Sequence, residues 1–165
     1  MGKEFNKVYD NNKKAVYGYL YYMTKDAEDA KDLCQDTFLK IYQNLKSFKG
    51  DYNERSWCIT IARNTFLSCI RKKKPITVDG EDIEQLPSNA DYNPETLLLQ
   101  QELKKTIKNV MLLLKEEYRT ILLLRDYEEM SYKEIGMVTG LSESAVKIRI
   151  FRAREQYRKL YSQYL

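Results

Sequence analysis

The segment from Ser131 to Arg158 has the pattern of a helix-turn-helix, in which two helices are joined by a tight turn. Ser131 and Glu134 have the S-x-x-E spacing of a capping box, which satisfies free backbone amides at a helix start. Gly140 predicts the end of this short helix, because glycine adopts the left-handed conformation without steric cost. Ser142 then predicts the cap of a longer second helix.

Apolar spacing predicts which faces of these two helices point inward. On the first helix, Ile135 and Val138 are expected to face the core. Gly136 is expected to let the second helix cross closely, and Leu141 to fill the corner between the helices. On the second helix, counted at about 100° per residue, one side is expected to form the core side: Val146, Ile150, Ala153, Tyr157 and Leu160.

The opposite side of the second helix combines cations with two large apolar residues. Its members are Ser144, Lys147, Ile148, Phe151, Arg152, Glu155 and Arg158. A purely solvated face would not need Ile148 and Phe151, whereas a helix in a DNA major groove contacts both thymine methyls and phosphates. The alternative is a surface helix that meets another protein, and the turn chemistry favours DNA.

Composition favours an all-α protein with one ordinary domain or two small ones, since the 165 residues include only 6 Gly and 3 Pro. The net charge is only +4, so attraction to nucleic acid must come from local clusters. Histidine, the commonest general base and metal ligand, is absent. The chain also lacks a nucleotide-binding glycine loop and a nucleophile beside a base, so we expect no catalytic activity, metal or cofactor.

The three cysteines, Cys34, Cys58 and Cys69, lie within apolar helical patterns and have no C-x-x-C spacing. This arrangement predicts buried, reduced thiols in a cytosolic protein. No apolar run approaches transmembrane length, and the N-terminus lacks a signal-peptide core. We therefore expect a soluble cytoplasmic protein that does not insert directly into a membrane.

The first two predicted helices differ in the character of their outer faces. An apolar stripe from Phe5 to Met23 predicts the first helix, and Thr24 or Asp26 is expected to cap a second helix that runs to about Lys46. The second helix is expected to turn these residues inward: Ala30, Leu33, Cys34, Thr37, Ile41 and Leu45. Its outer face is acidic and carries Asp29, Asp32, Gln35, Asp36 and Leu39. This face is typical of either simple solvation or a basic protein partner.

A third helix is predicted from about Glu54 to Lys73 and ends in a run of cations. Its apolar positions are expected to be Trp57, Ile61, Thr65, Cys69 and Ile70. The run of four cations that begins at Arg71 could serve only as a helix cap, because the dipole favours cations at a C-terminus. Beside Asn64, Trp57 and Phe48, it fits single-stranded nucleic acid better, since such sites combine a basic track with aromatic and amide groups.

The composition changes after this helix. Residues 75–95 contain all three prolines but no Lys or Arg, and within them residues 75–93 are predicted to form an exposed acidic linker. Asn93 and Pro94 predict the start of a fourth helix, whose apolar positions are Leu97, Leu98, Leu103, Ile107, Val110 and Leu114. Another helix is predicted from Glu116 to Tyr127, and it is expected to pack on the helix-turn-helix through Tyr118, Ile121, Leu122 and Leu124.

The order of these parts resembles the extracytoplasmic-function (group IV) sigma factors of bacterial RNA polymerase. The stretches DAEDAKDLCQDTFLKIYQNLKSF and RSWCITIARNTFLSCIRKKK are similar to the family's region 2, and YRTILLLRDYEEMSYKEIGMVTGLSESAVKIRIFRAR is similar to region 4. The resemblance implies an all-α protein with two small helical domains, region 2 at 1–74 and region 4 at 94–165, joined by a flexible linker at 75–93. It also implies a sigma factor that binds core polymerase, directs it to −10/−35 promoters and promotes DNA strand opening.

The resemblance assigns three sets of residues. The set that would dock on the clamp helices of the polymerase β′ subunit is Asp29, Asp32, Gln35, Asp36 and Phe38. The −10 set is Phe48, Trp57, Ile61, Arg63, Asn64, Arg71, Lys72, Lys73 and Lys74. Within it, Phe48, Ile61 and Asn64 would form a pocket for a flipped base. The set for the duplex −35 element is Ser144, Lys147, Ile148, Arg149, Phe151, Arg152 and Arg154. Arg149 projects near the core edge, so we expect it to reach a phosphate.

The implied partners are core RNA polymerase, through the β′ clamp helices and the β flap, promoter DNA, and an anti-sigma factor of a kind that is often membrane-anchored and released under stress. We expect the chain to be a monomer.

Three positions depart from the family pattern: Ser68 where Asp is frequent, Leu114-Lys115 in place of Leu-Pro, and Ser144-Ala145 in place of Gly-Thr. The main alternative is a dimeric helix-turn-helix repressor or activator. A nucleic-acid-processing enzyme and a protein-binding adaptor explain fewer of these features.

Overall fold

A computed structural model describes residues 2–50, 53–72 and 94–164, with the side chains of 94–97 left out. The α-helices in these ranges are α1 Gly2–Thr24, α2 Ala27–Asn44, α3 Glu54–Lys72, α4 Pro94–Leu113, α5 Glu116–Leu122, α6 Tyr132–Thr139 and α7 Glu143–Tyr164. A 3₁₀ turn (Leu45–Ser47) follows α2, and a π-helical turn (Leu123–Tyr127) follows α5. The described part of the chain contains no strand, which confirms the all-α prediction. The predicted linker at 75–93 and the predicted cap Asn93 lie outside the described residues.

The helix caps predicted for α2, α6 and α7 are present. Asp26 accepts a hydrogen bond from the backbone N–H of Asp29 at 2.9 Å and so begins α2. Ser131 and Glu134 form both bonds of the capping box at the start of α6. Gly140 ends α6 with a left-handed φ of 76°, and the Ser142 hydroxyl accepts from the backbone of α7 at 3.2 Å. Local backbone chemistry therefore sets these boundaries.

Helices α1, α2 and α3 form an N-terminal domain around a shared apolar core. Its fully buried side chains include Val16, Leu20, Ala30, Ile41, Cys58, Ile59 and Ala62. The predicted apolar face of α3 was partly wrong, because Ile70 is 47% exposed. The buried side of α3 is broader than one stripe and also contains Ser56 and Phe66, since this helix packs on α1 and α2 and also on α6.

Helices α4 to α7 form a C-terminal domain. Val110, Leu114, Ile121, Ile135, Val146 and Ile150 are buried in it. The prediction for the first half of α4 was wrong, because Leu98 and Leu103 are 62% and 50% exposed. Within the described ranges, no helix combines the length and the apolar character needed to cross a lipid bilayer.

Gly136 has a different role from the predicted one. A Cβ atom at this position would lie 2.7 Å from the backbone oxygen of Leu141. The close approach is therefore to the turn that follows α6 rather than to the second helix of the motif. A turn this tight requires glycine at position 136.

Candidate nucleic-acid interface

An open cavity of about 340 Å³ lies where the end of α2 meets the middle of α3. Its walls come from Lys40, Asn44, Ser47, Trp57, Ile61, Asn64, Thr65 and Ser68. Three of these, Trp57, Ile61 and Asn64, belong to the predicted −10 set. The structure thus brings the predicted base-pocket residues of α3 to one concave surface.

Helical spacing explains how α3 presents this wall. Trp57, Ile61, Asn64 and Ser68 are separated by four, three and four residues, so they form one stripe along α3. Trp57 is nearly covered and stacks on Phe48, with ring centroids 4.7 Å apart and planes inclined by 23°. Asn64 is exposed at the opening of the cavity. Phe48 is not among the residues that line the cavity and contacts its wall through Trp57.

The facing wall from α2 is polar, and sequence reasoning missed it. Lys40 Nζ donates to Thr65 Oγ1 at 3.2 Å, which ties α2 to α3 across the cavity. Asn44 and Ser47 follow on the same side of the chain, and their side chains donate to the backbone oxygens of Lys40 and Asn44 respectively. The spacing of these α2 residues could have revealed a second polar stripe facing α3. The sequence does not indicate which residues of α3 this polar stripe contacts.

Arg63 does not lie at this cavity. Two residues along an α-helix correspond to a rotation of about 200°, so Arg63 is on the opposite side of α3 from Ile61. Its guanidinium pairs with Glu116 Oε1 of the C-terminal domain at 3.5 Å, and its side chain is 14% exposed. In this conformation Arg63 is directed to the C-terminal domain and not to the cavity, so its predicted DNA contact stays a prediction. Arg71 and Lys72 are exposed at the end of α3, while Lys73 and Lys74 lie outside the described residues.

The acidic face of α2 is present but includes one residue fewer than predicted. Asp32, Gln35 and Asp36 are exposed, and Asp29 is half-buried. Phe38 is only 5% exposed, and its ring packs edge-on against Tyr9 with centroids 4.7 Å apart. Phe38 therefore belongs to the core and cannot touch a partner directly, which corrects its predicted docking role. Leu39, on the outer face, is 57% exposed and offers an apolar contact instead.

Helix α7 has the two faces predicted for a recognition helix. Val146, Ile150 and Ala153 are buried, with Tyr157 and Leu160 packed beside them. On the outer face Ile148 and Phe151 are 53% and 62% exposed. The polar residues Ser144, Lys147, Arg152, Glu155 and Arg158 are exposed on the same helix. The face is therefore both cationic and apolar, a combination compatible with major-groove contact.

Two of the predicted −35 arginines already have carboxylate partners within the C-terminal domain. Arg154 Nη2 lies 2.7 Å from Asp126 Oδ1, and Arg149 Nη1 lies 4.0 Å from Glu117 Oε2. Arg149 is half-buried, as expected for a residue at the core edge. Such surface pairs are weak, so both guanidinium groups can exchange their carboxylate partners.

The three cysteines are free thiols, of which Cys58 is buried and Cys34 and Cys69 are half-buried. Burial raises the pKa of the Cys34 thiol to about 11 and that of Cys58 to about 12. Burial therefore favours the protonated form of these two thiols at neutral pH.

Comparison with known proteins identifies two families along the chain. The family described as Sigma-70 region 2 matches residues 8–76, and the one described as Sigma-70, region 4 matches residues 104–156. The RNA polymerase sigma factor YlaC of Bacillus subtilis (strain 168) is 36% identical over 146 residues, which cover 87% of this chain and 84% of that protein. The ECF RNA polymerase sigma factor SigM of the same organism is 34% identical over 159 residues and covers 95% and 94%.

Two solved structures have a similar fold. The sigma factor RpoE in complex with the anti-sigma factor NepR from Bartonella quintana superposes with a TM-score of 0.73 at 25% identity, over 97% of this chain and 98% of that one. CnrH in complex with the cytosolic domain of CnrY has a TM-score of 0.71 at 22% identity and covers 99% and 90%. The similarity extends over both helical domains.

Proposed function

Because the chain belongs to the extracytoplasmic-function sigma factors of the sigma-70 family, we propose that the cavity between α2 and α3 takes a flipped −10 base while α7 reads the −35 duplex. The chain is an RNA polymerase sigma factor, which directs core polymerase to promoters. We propose that it has no catalytic activity of its own and that the polymerase carries out the chemistry.

The single observation that carries the −10 proposal is the cavity itself. Taking a base out of the stack costs a few kcal/mol, so a site that captures it must already be formed. Here the walls are preformed and supply donors from Lys40 and two amides, Asn44 and Asn64, beside the Trp57–Phe48 stack. Arg71 and the cations that follow it would hold the strand backbone. Arg63 is not among the residues that we propose to hold the strand, because it lies on the opposite side of α3 and pairs with Glu116.

The outer face of α7 supports duplex reading. Ile148 and Phe151 would contact thymine methyl groups, while Lys147 and Arg152 would reach phosphates or base edges. We propose that Arg149 and Arg154 exchange their carboxylate partners for phosphates when the helix enters the groove. The alternative of a dimeric repressor is set aside, because the N-terminal half matches sigma region 2.

On α2, the exposed residues Asp32, Gln35 and Asp36, together with Leu39, form the surface that we propose for docking on the β′ clamp helices. The half-buried Asp29 would contribute at its edge. A charged rim around an apolar residue is typical of a protein interface. The β flap would bind the C-terminal domain.

We also propose that an anti-sigma factor controls this protein, because the similar sigma factor RpoE is in complex with the anti-sigma factor NepR. We further propose that this anti-sigma factor is membrane-anchored and holds the chain in the cytoplasm until a stress signal releases it. Pull-down of the tagged chain from membrane and soluble fractions tests this step.

The test of the main proposal is run-off transcription from fragmented genomic DNA with core RNA polymerase, with and without the protein. We expect discrete new transcripts that depend on it. Asn64→Ala and Arg152→Ala should each lower transcript yield by roughly five- to 150-fold, since each lost contact is worth roughly 1–3 kcal/mol. Asn6→Ala, an exposed change on α1 away from the cavity, is the matched control. Unchanged start sites in the presence of the protein would refute the proposal.

A further inference from the structure

A second cavity, of about 360 Å³, lies within the C-terminal domain where α4, the turn after α5 and α7 meet. We call it the α4–α7 cavity. Most of its lining is apolar or aromatic and comes from Ile107, Met111, Leu122, Tyr127 and Tyr157. The remaining lining residues are charged: Asp126, Arg154 and Arg158. Small-molecule sites have volumes of about 300–1,000 Å³ and a similar mixture of groups, and promoter binding by α3 and α7 needs no such cavity.

Helical spacing places these side chains around one space. Ile107 and Met111 are four residues apart on α4, and the three lining residues of α7 occupy positions i, i+3 and i+4, so each set shares one side of its helix. Met111 and Leu122 are each 3% exposed and form the floor of the cavity. The three charged residues are exposed and therefore surround its opening.

The turn after α5 contributes an unusual piece of backbone to the cavity. It is π-helical over Leu123–Tyr127, a conformation that is rare and is found frequently at functional sites. The extra residue in such a turn changes by about 100° the direction of the side chains that follow. In this turn, Asp126 and Tyr127 line the cavity.

The walls are held in place by hydrogen bonds between elements. Arg154 Nη2 donates to Asp126 Oδ1 at 2.7 Å, which joins α7 to the π-helical turn. Asn109 Nδ2 donates to the Tyr164 hydroxyl at 2.7 Å, which joins α4 to the end of α7. The cavity is therefore already formed in the free chain, and a ligand would not bear the entropic cost of ordering its walls.

The charged residues at the opening carry one net positive charge. Arg154 is paired with Asp126, whereas Arg158 is exposed and forms no ion pair with any residue in the described part of the chain. A guanidinium group binds a carboxylate through two parallel hydrogen bonds. Partial burial, with a smaller contribution from Tyr127, raises the pKa of Tyr157 above its usual value, which agrees with apolar surroundings. The cavity therefore complements an anionic group attached to an apolar body.

We propose that the α4–α7 cavity binds a small carboxylic acid with an aromatic or branched apolar body. The carboxylate pairs with Arg158 at the opening, and the body packs on Met111 and Leu122. The site itself does not depend on the proposed promoter function, because every residue that lines it belongs to the C-terminal domain of the free chain.

A bound acid would also affect promoter binding, and this consequence rests on the proposed −35 function. Arg154 lines the cavity and also belongs to the −35 set, in which it exchanges Asp126 for a phosphate. A ligand carboxylate at the opening adds a second anion beside Arg154 and holds its guanidinium at the cavity. The acid and the DNA then compete for one side chain, so each weakens the binding of the other.

Methionine methyl NMR on the full-length chain tests the site. The chain has five methionines, of which Met111 lines the cavity. With ¹³C-labelled methyl groups, titration with 4-phenylbutyrate should shift the Met111 resonance in a saturable way and leave the others unchanged, namely Met1, Met23, Met130 and Met137. The neutral analogue 4-phenylbutan-1-ol should bind more weakly. Acetate, which has the carboxylate but lacks the apolar body, should cause no shift.

Variants separate the two parts of the ligand. Arg158→Gln should weaken 4-phenylbutyrate binding by roughly 1.5- to fivefold, the range of an exposed ion pair, and leave binding of 4-phenylbutan-1-ol unchanged. Lys159→Gln is the matched control, because it removes the same charge from an exposed residue of α7 that does not line the cavity. Ile107→Trp fills the cavity and should abolish the Met111 shift with both compounds. Circular dichroism checks its folding, and Ile107→Phe replaces it if it loses helix.

The proposed site is overturned if 4-phenylbutyrate shifts no methionine, shifts all of them alike, or binds Arg158→Gln as tightly as Lys159→Gln. A different occupant would give another result. If no compound shifts Met111 but a folded Ile107→Trp protein binds core polymerase less tightly, the cavity is part of a protein interface, which also overturns the small-molecule site.

Run-off transcription measures the consequence for the promoter. At a saturating concentration of 4-phenylbutyrate, transcript yield from the wild type should fall by up to about fivefold, whereas yield from Ile107→Trp should not change. A shifted Met111 with unchanged transcription would retain the site and refute its link to DNA binding. A shifted Met111 in a protein that directs no initiation would retain the site and refute the proposed function.

Discussion

Asn12 and Arg119 are polar residues that hold helices together from inside the protein. Asn12 is 1% exposed, and its Nδ2 donates to the Val8 oxygen at 2.8 Å and to Glu54 Oε1 at 2.7 Å. It therefore links α1 to the first turn of α3. Arg119 does the same for α1 and α4 through carbonyl oxygens alone. Buried polar groups require such partners, so at both positions a polar side chain specifies which helix ends meet.

The buried thiol of Cys58 predicts a loss of stability at alkaline pH. Burial raises its pKa from 9.0 to about 12, so the folded protein keeps the proton that the unfolded chain releases. The protonated thiol therefore contributes fully to the free energy of unfolding below pH 9, and this contribution is lost as the pH rises towards 12. Between pH 8 and 10 we expect the free energy of unfolding to fall by roughly 1 kcal/mol because of this thiol.

Urea denaturation of the wild type and of Cys58→Ala at pH 8 and pH 10 measures how much of the lost free energy of unfolding comes from this thiol. Burial also raises the pKa values of Cys34, Tyr19 and Tyr22, so the Cys58→Ala variant should keep a reduced pH dependence of the same sign, to which the Cys34 thiol contributes most. An identical loss in both proteins would contradict the assignment to Cys58.

Single residues were predictable where the deciding contact is local. The Ser131–Glu134 box and the Gly140 cap involve partners within four residues, so their spacing in the sequence is sufficient. Lys40 was missed because its partner Thr65 lies on another helix. Phe38 was misplaced for the same reason, since its neighbour Tyr9 comes from α1.

At the scale of helices, the sequence predicts the existence and order of the elements. It predicts the buried face of a helix only where that helix packs against the rest of the protein on one side. Helix α7 packs on one side, and its two faces agree with the sequence projection. Helix α3 is buried on several sides, so Ile70 was placed inside and Ser56 and Phe66 were missed. A single apolar stripe is the pattern of a helix that packs against one neighbour. Helix α3 packs against three helices, α1, α2 and α6, so its buried surface is wider than one stripe.

The turn after α6 gives a prediction for the recognition motif. Gly136→Ala would place a Cβ 2.7 Å from the Leu141 backbone oxygen, so the turn must shift, and we expect a loss of roughly 1–3 kcal/mol. Gly18→Ala on α1 has open space around its Cβ and should be neutral or stabilise by up to about 1 kcal/mol. Chemical denaturation compares the two variants, and equal stabilities would show that the turn tolerates a methyl group.

For the whole molecule, the packing of one domain on the other was not predictable from the chain. Its main contacts join residues about a hundred positions apart, such as Tyr19 with Thr120, and none forms a local pattern. Glu116 resembles an ordinary acid in the first turn of a helix, and Arg63 resembles one more cation of a DNA-binding helix. Only the folded arrangement makes them partners.

Docking also predicts how the chain unfolds. Two domains that share a buried cation such as Arg119 should unfold in one cooperative transition, because separating them exposes its unpaired charge and the α1 carbonyls. The single tryptophan, Trp57, reports on the N-terminal domain, whereas circular dichroism reports on all helices. In the wild type we expect thermal transitions followed by both signals to coincide. In Glu116→Lys they should separate, because each domain then melts with its own stability. Coincident transitions in Glu116→Lys, which places a cation opposite Arg63, would show that this pair does not couple the unfolding of the two domains.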